Sequence, residues 1–336
     1  MRAFISGCEG LSLTAGELGF FRDARPCGLI LFKRNCGDAD QIRRLVGDFL
    51  EAVGDERALV LIDQEGGRVQ RLAPPNWRRY PAGRRFGDMH AADPEKALEA
   101  ARLGARMIAR DLLSLGINVN CAPVLDVPAP GAHDVIGDRA YGAAVADVTA
   151  LGRAVAEGYL ESGVLPVIKH IPGHGRAEVD SHKSLPVIKA SRAELSRTDF
   201  APFHALRDMP LGMTAHIVIS DIDPDRPASA SPIVIADIIR GEIGFDGLLM
   251  CDDLGMHALS GDMTERARAV LAAGCDVALH CGGDMQEMQA VAAVAPELGG
   301  EAMRRFDAAL DRLTEPQPFD VARAEILLSE VVGEIA

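Results

Sequence analysis

The sequence is poor in aromatic residues and in long apolar runs. Tryptophan, tyrosine and phenylalanine together make up 4% of the 336 residues. No apolar stretch approaches the roughly 18 residues that a membrane-spanning helix requires, so we expect no membrane partner. The net charge is −14, and the sequence has no stretch rich in lysine and arginine beyond scattered pairs such as Arg78-Arg79 and Arg84-Arg85. A chain with this balance repels nucleic acid, which we therefore do not expect as a partner.

The seven cysteines form an odd set without a close pair. This spacing indicates neither a disulfide framework nor a zinc site, and a reducing compartment is the natural inference. We therefore predict a cytoplasmic protein. The sequence also lacks the glycine-rich motifs that bind phosphates and dinucleotides, and no cofactor is predicted.

Eight short apolar runs alternate with stretches of helical periodicity. The runs lie at residues 3–5, 28–32, 58–62, 117–121, 165–168, 211–215, 247–250 and 276–279. Helical stretches between them include residues 95–114, 145–162 and 264–273. This alternation predicts βαβ units, and eight of them favour an α/β fold of the (β/α)₈ TIM-barrel type over an open sheet. We predict one catalytic domain over residues 1–336, with a helical C-terminal tail.

Polar residues cluster where the apolar runs end. They follow the third to the eighth run, at Asp63-Gln64-Glu65, Asp126, Lys169-His170, His216, Asp252-Asp253 and His280. Barrel enzymes build their active sites at the carboxyl ends of the strands. The pattern therefore predicts an active site to which several strands contribute.

The segment that follows the fifth run is rich in titratable groups. Asp180 stands two residues before His182, and a carboxylate at that spacing can orient an imidazole and fix its tautomer. An imidazole with an ordinary pKa near 6.5 can act as acid and base in turn near neutral pH. An isolated Asp-Ser-His in a surface loop is more often a solvated histidine, and the residues alone leave that alternative open.

Two further carboxylate motifs stand at the ends of apolar runs. Asp252 and Asp253 end the seventh run, and neighbouring strand residues point to opposite faces, so only one of them can face the barrel mouth. We expect one catalytic carboxylate and one structural partner. Asp63, with Arg71 in the same motif, suits the hydroxyl groups of a sugar, although a buried ion pair at the barrel rim explains these two residues equally well.

A zinc-dependent barrel hydrolase is the competing interpretation. Four residues at strand ends could be metal ligands: His170, His216, His280 and Asp252. However, the sequence has no His-x-His pair on an early strand, and Pro172-Gly173 breaks any helical spacing between His170 and His174. We therefore predict no metal ligands.

Nine motifs occur in order over most of the chain. They are Gly28–Phe32, Asp63–Arg71, Ala122–Val127, Ile136–Tyr141, Lys169–Gly175, Asp180–His182, Ala215-His216, Arg226–Ser229 and Gly244–Leu254. Together they resemble the family 3 glycoside hydrolases, specifically the single-domain bacterial β-N-acetylglucosaminidases of peptidoglycan recycling. The resemblance implies a (β/α)₈ barrel with β-N-acetylhexosaminidase activity.

The resemblance also implies a role for individual residues. Asp252 would be the nucleophile, and His182 the general acid/base that Asp180 positions. The N-acetylglucosamine unit would be bound by Asp63, Arg71, Arg139, Lys169 and His170. The implied enzyme is retaining and monomeric, acts through a covalent glycosyl-enzyme, and cleaves GlcNAc-1,6-anhydroMurNAc muropeptides or chito-type glycosides in a Gram-negative bacterium.

Two alternatives share the same site. A neutral imidazole base does not repel an incoming anion, which leaves phosphorolysis chemically open. A sugar-binding protein that has lost its chemistry is the other alternative, and the joint presence of Asp252, His182 and Asp180 argues against it.

Overall fold

Parallel strands form the centre of the molecule. The computed structural model describes residues 1–177, 179 and 184–332. Within those residues the main sheet has eight strands: β1 (Arg2–Ser6), β2 (Pro26–Leu31), β3 (Leu59–Ile62), β4 (Val119–Asn120), β5 (Leu165–Ile171), β6 (Leu211–Thr214), β7 (Leu248–Met250) and β8 (Ala278–His280). All of them coincide with predicted apolar runs.

The strands are arranged in a ring. Strands β1 to β7 are neighbours in chain order, and β8 pairs with β1. A parallel bridge between Met250 and Val277 joins the β7 end of the sheet to the start of β8. The sheet therefore closes, and the predicted (β/α)₈ barrel is confirmed. In this ring β3 and β7 lie on opposite walls, since four strand positions separate them in either direction.

Helices surround the barrel. They are α1 (Ala15–Ala24), α2 (Ala39–Val53), α3 (Gly83–Ala92), α4 (Pro94–Leu113), α5 (Val145–Glu161), α6 (Arg192–Arg197), α7 (Ala201–Ala205), α8 (Met263–Ala273), α9 (Met285–Val294), α10 (Gly300–Leu310) and α11 (Val321–Val332). A π-helix at Val234–Glu242 stands between β6 and β7. Within the described part of the chain, no helix is both long and apolar enough to cross a bilayer.

Local sequence signals explain where several helices begin and end. Thr14 and Glu17 form a capping box at the start of α1, and Asp262 and Glu265 form another at the start of α8. Helix α2 ends at Gly54, whose φ of 66° lies in the left-handed region that favours glycine. These caps define where the helices begin and end, and therefore the lengths of the loops that connect them to the strands.

The C-terminal helices close one side of the barrel. The guanidinium of Arg106, in α4, donates hydrogen bonds to the backbone carbonyls of Gln317 and Pro318, which precede α11. Helix α11 then packs against α3 and α4. The helical tail was predicted from the sequence. The assignment of residues 1–336 to one domain stays a prediction.

Candidate active site

A cluster of ion pairs occupies the β3 side of the barrel mouth. The Nζ atom of Lys169, in β5, lies 2.8 Å from Oδ1 of Asp63 and 2.7 Å from Oε1 of Glu65. Arg71 donates to the second oxygen of Asp63 at 2.9 Å. The Lys169 side chain is only 2% exposed. A single buried ammonium group therefore holds two carboxylates side by side.

Arg139 completes this cluster from a different loop. Its Nε and Nη2 atoms donate to the two oxygens of Glu65 at 2.9 and 2.8 Å, the paired geometry that a guanidinium makes with a carboxylate. Glu65 was not among the predicted site residues, although it belongs to the same motif as Asp63. The two hydrogen bonds between Arg139 and Glu65 place Arg139, which follows β4 in the chain, next to binding residues that precede β4.

The cations keep both carboxyl groups ionised. Burial alone would raise the pKa of Glu65, but Arg139 and Lys169 lower it to about 2. Burial likewise opposes ionisation of Asp63, and Lys169 and Arg71 hold the pKa of that carboxyl well below its usual range. Burial would lower the pKa of Lys169, yet Asp63 and Glu65 raise it above its ordinary value. The cluster is therefore fully charged at neutral pH.

A tight turn brings Arg71 back to Asp63. Gly66 and Gly67 have φ values of 101° and 57°, which residues other than glycine rarely adopt. They lie at the turn between the short antiparallel strands Gln64–Gly66 and Val69–Gln70. The side-chain oxygen of Gln64 accepts the backbone N–H of Arg71 at 2.9 Å. The Gly-Gly sequence thus sets the position of the arginine.

His170 follows Lys169 and is oriented by a buried carboxylate. Its Nδ1 atom lies 2.7 Å from Oδ2 of Asp126. The other oxygen of Asp126 accepts the backbone N–H of His174 at 2.7 Å. Because Nδ1 of His170 is engaged by Asp126, its Nε2 is the nitrogen left for a ligand. The sequence placed Asp126 at a strand end but did not predict this role.

Asp252 lies on the opposite wall, just after β7. Within the described residues its carboxylate has one hydrogen bond, from the backbone N–H of Asp253 at 2.8 Å. Burial would raise the pKa of Asp252, but nearby His170 and His216 bring it below the ordinary value. The group is therefore an ionised carboxylate, and one of its oxygens accepts no hydrogen bond from the described residues, which suits a nucleophile.

Asp253 has a different environment from its neighbour. Its Oδ1 atom accepts the backbone N–H groups of Gly255 at 3.0 Å and of Cys281 at 2.9 Å. The backbone carbonyl of Asp253 contacts Nε2 of His216 at 3.0 Å, and the Nδ1 atom of that histidine lies 2.6 Å from Oγ of Ser229. Asp253 thus joins the ends of β6, β7 and β8.

The histidines at the strand ends do not form a metal site in the described part of the chain. His170 is bonded to Asp126, His216 to Ser229 and Asp253, and Nε2 of His280 to Glu287 at 3.0 Å. No group of three or more histidine, cysteine or acidic side chains suited to a metal occurs among those residues. The strand-end residues that the zinc interpretation requires therefore do not form a cluster of metal ligands among the described residues.

The loop segment after β5 is held from two sides. A Cβ atom on Gly175 would lie 2.1 Å from the carbonyl oxygen of Val127, so only glycine fits there. On the other side, Arg176 donates to Asp199 at 2.7 Å and to Glu194 at 2.7 Å. This anchored segment leads toward Asp180 and His182, which both lie outside the described residues.

The structure therefore brings five predicted binding residues together. They are Asp63, Arg71, Arg139, Lys169 and His170. Asp252 is near enough for His170 and Lys169 to lower its pKa. Glu65, Asp126 and His216 are additional members that the sequence placed at strand ends without a role.

Comparison with known proteins identifies similar sequences. Residues 21–315 match the family described as glycosyl hydrolase family 3 N terminal domain. A β-hexosaminidase of Aromatoleum aromaticum is 36% identical over 314 residues, which cover 92% of this chain and 87% of that protein. A β-hexosaminidase of Alkalilimnicola ehrlichii is 38% identical over 82% of this chain and 79% of its own length.

Solved structures show the same fold. NagZ from Neisseria gonorrhoeae in complex with N-trifluoroacetyl-D-glucosamine superposes with a TM-score of 0.87 at 28% identity, covering 99% of this chain and 98% of that one. A family 3 β-N-acetylglucosaminidase from a Paenibacillus species has a TM-score of 0.87 at 29% identity, covering 98% of this chain and 66% of that one.

Proposed function

Because the chain belongs to glycosyl hydrolase family 3 and is a hydrolase of the β-hexosaminidase type, we propose that it removes terminal N-acetylglucosamine from muropeptides with retention of configuration. The preferred substrates are of the GlcNAc-1,6-anhydroMurNAc type, and the process served is peptidoglycan recycling. The enzyme acts as a monomer in the cytoplasm of a Gram-negative bacterium. Its seven cysteines are all free, in keeping with a reducing compartment.

The observation that carries this proposal is the ion-pair cluster opposite Asp252. Ionised carboxylates accept hydrogen bonds from sugar hydroxyls, and the guanidinium and ammonium groups beside them donate hydrogen bonds to the same hydroxyls. A sugar held by Asp63, Arg71 and Lys169 on the β3 side can present its anomeric carbon to Asp252 on the β7 side. The sugar analogue bound to the Neisseria NagZ supports a ligand of the same class.

The reaction takes two steps. In the first, the Asp252 carboxylate attacks the anomeric carbon while the His182 imidazolium gives its proton to the leaving oxygen, which forms the glycosyl-enzyme. In the second, the neutral His182 imidazole takes a proton from water as that water displaces Asp252. Asp180 orients His182 and stabilises its charged form. The roles of His182 and Asp180 rest on their motif.

The first experiment follows release of p-nitrophenol from p-nitrophenyl N-acetyl-β-glucosaminide. Wild type and Asp252→Asn are compared in a buffer that contains chelator and no phosphate. Turnover by wild type alone supports a metal-free hydrolase with Asp252 as nucleophile. Activity that appears only after phosphate is added indicates a phosphorylase, and activity that returns only with zinc indicates a metal-dependent hydrolase.

A second experiment tests the acid/base assignment. His182→Ala should lose most activity on glycosides with poor leaving groups and least on activated aryl glycosides, because only a poor leaving group needs a proton in the first step. The measurement is kcat/KM for a series of aryl glycosides whose phenols differ in pKa. Equal losses across the series would contradict an acid role.

A further inference from the structure

One arginine from each of two pairs in the sequence, Arg79 and Arg85, lines the same cleft. A cleft of about 690 Å³ lies outside the ion-pair cluster on the β3 side of the barrel, next to the Gly66-Gly67 turn. Four cationic side chains line it: Lys33, Arg68, Arg79 and Arg85. Asp138 is the acidic residue of its lining. A protein of net charge −14 therefore carries a concentrated positive surface at this place.

Three of these cations have no carboxylate partner among the described residues. Arg68 pairs with Asp138 at 3.0 Å. Lys33, Arg79 and Arg85 are exposed and make no ion pair with any residue that the structure describes. Like charges that face a common cleft repel one another, and a bound anion would relieve that repulsion.

The start of helix α3 adds hydrogen-bond donors to the same surface. Ala82, which also lines the cleft, is the N-cap of α3 and has no side chain that could cap the first backbone N–H groups. The helix has ten residues, so its N-terminus carries the partial positive charge of a helix dipole. A Cβ atom on Gly67 would lie 2.6 Å from Cβ of Ala82, which shows how closely the turn that precedes Arg68 approaches the helix start.

We propose that this cleft is an anion-binding site, separate from the sugar site, for a ligand with several oxyanion groups. Guanidinium and ammonium groups beside the N-terminus of a helix match the oxygens of phosphates or of polycarboxylates. The cleft is far larger than one phosphate ion, so it accepts a ligand with more than one charged group. None of the five predicted sugar-binding residues lines this cleft, which makes it distinct from the ion-pair cluster.

The site can also influence the sugar-binding cluster. The Nη2 atom of Arg68 donates to the backbone carbonyls of Asp134, Val135 and Ile136, and this loop continues to Arg139. An anion that draws Arg68 toward the cleft would therefore pull on the loop that positions Arg139, the partner of Glu65. Anion binding at the cleft does not depend on the glycosidase activity.

The test is a titration of the purified protein with inorganic phosphate and, separately, with citrate. It is carried out by calorimetry at low ionic strength, because exposed charges are screened within about 10 Å at 0.1 M salt. We expect saturable binding of at least one probe. The double variant Arg79→Gln/Arg85→Gln should weaken it about tenfold, in line with the loss of two exposed charge contacts.

The matched control is Arg22→Gln/Arg44→Gln, which removes two exposed arginines from α1 and α2, outside the cleft. Its affinity for the probe should equal that of wild type. Binding of phosphate indicates a phosphorylated ligand, and binding of citrate alone indicates a polycarboxylate. The absence of saturable binding to wild type, or equal losses in both double variants, would overturn the proposal.

Discussion

The two walls of the barrel mouth hold their carboxylates in opposite ways. On the β3 side, Asp63 and Glu65 share three cationic partners at 2.7 to 2.9 Å. On the β7 side, the carboxylate of Asp252 has one hydrogen bond among the described residues, from a backbone N–H. The first arrangement leaves its carboxylates little freedom, whereas in the second no described residue donates a hydrogen bond to the other oxygen of Asp252.

This difference corresponds to a division of labour. A group that binds a sugar must be fixed before the ligand arrives, and the ion pairs provide that order. A nucleophile must keep an unshared oxygen, so strong partners would reduce its reactivity. The lowered pKa of Asp252 arises from histidines near it, which keep the group charged without an ion pair among the described residues. A substitution at Asp252 should therefore lower turnover with little effect on stability, whereas a substitution in the ion-pair cluster should lower both.

Asp252→Asn should have the largest effect on turnover. The amide cannot form the covalent intermediate, so we expect kcat to fall more than about 10³-fold. The melting temperature should change little, because the backbone N–H of Asp253 can still donate to the amide oxygen. Turnover of the aryl glycoside and thermal unfolding measure the two effects. A variant with nearly full activity would show that another residue is the nucleophile.

Lys169→Met should reduce both activity and stability. It leaves two buried carboxylates without their shared cation, and breaking a buried pair costs about 3–5 kcal/mol. We expect kcat/KM to fall about 100-fold, since Asp63 loses the partner that fixes it. Denaturant unfolding and steady-state kinetics measure the two losses.

Arg192→Met is the matched control for that substitution. It also replaces a cation by methionine, but the Arg192 side chain is 51% exposed and pairs with Glu242 at the surface. We expect little change in unfolding or activity. If the two variants were equally stable, the buried ammonium would not hold the cluster together.

Much of this arrangement could be predicted from the sequence. The apolar runs predicted all the barrel strands, since buried parallel strands have a distinctive composition. Asp63, Arg71, Lys169 and His170 were grouped by the resemblance to family 3 glycoside hydrolases, and the structure brings them together. The pairing of Glu65 with Arg139 was not predicted, because it joins two loops more than seventy residues apart.

The cleft proposed as an anion-binding site was still less predictable from the sequence. Arg79 and Arg85 were assigned to scattered pairs, and nothing in their local sequence separates them from other surface arginines. Only the chain reversal at Gly66-Gly67 and the start of α3 bring them to one surface with Lys33. Charge patterns of this kind depend on the fold and cannot be found by counting along the chain.

Asp126→Asn should have an intermediate effect on the β3 side. Asp126 accepts hydrogen bonds from Nδ1 of His170 and from the backbone N–H of His174 on different oxygens. An asparagine has only one side-chain oxygen, so its NH₂ group must face one of these donors. We expect kcat/KM to fall about 10- to 100-fold through loss of the orientation of His170. Wild-type kcat/KM in a correctly folded Asp126→Asn would show that Asp126 does not orient the histidine.

Asp253→Asn should have the smallest effect, although it alters the residue next to the nucleophile. A single atom of Asp253, Oδ1, accepts both backbone N–H groups, from Gly255 and Cys281. Asparagine can place its amide oxygen there, so both hydrogen bonds survive, with some loss of strength because the acceptor is no longer charged. We expect kcat/KM within about fivefold of wild type and a modest decrease in melting temperature. Asp253→Ala removes both hydrogen bonds and should lower the melting temperature further. If Asp253→Asn instead abolished turnover while the fold survived, the second carboxylate would have a chemical role, and the assignment of Asp252 alone would have to be revised.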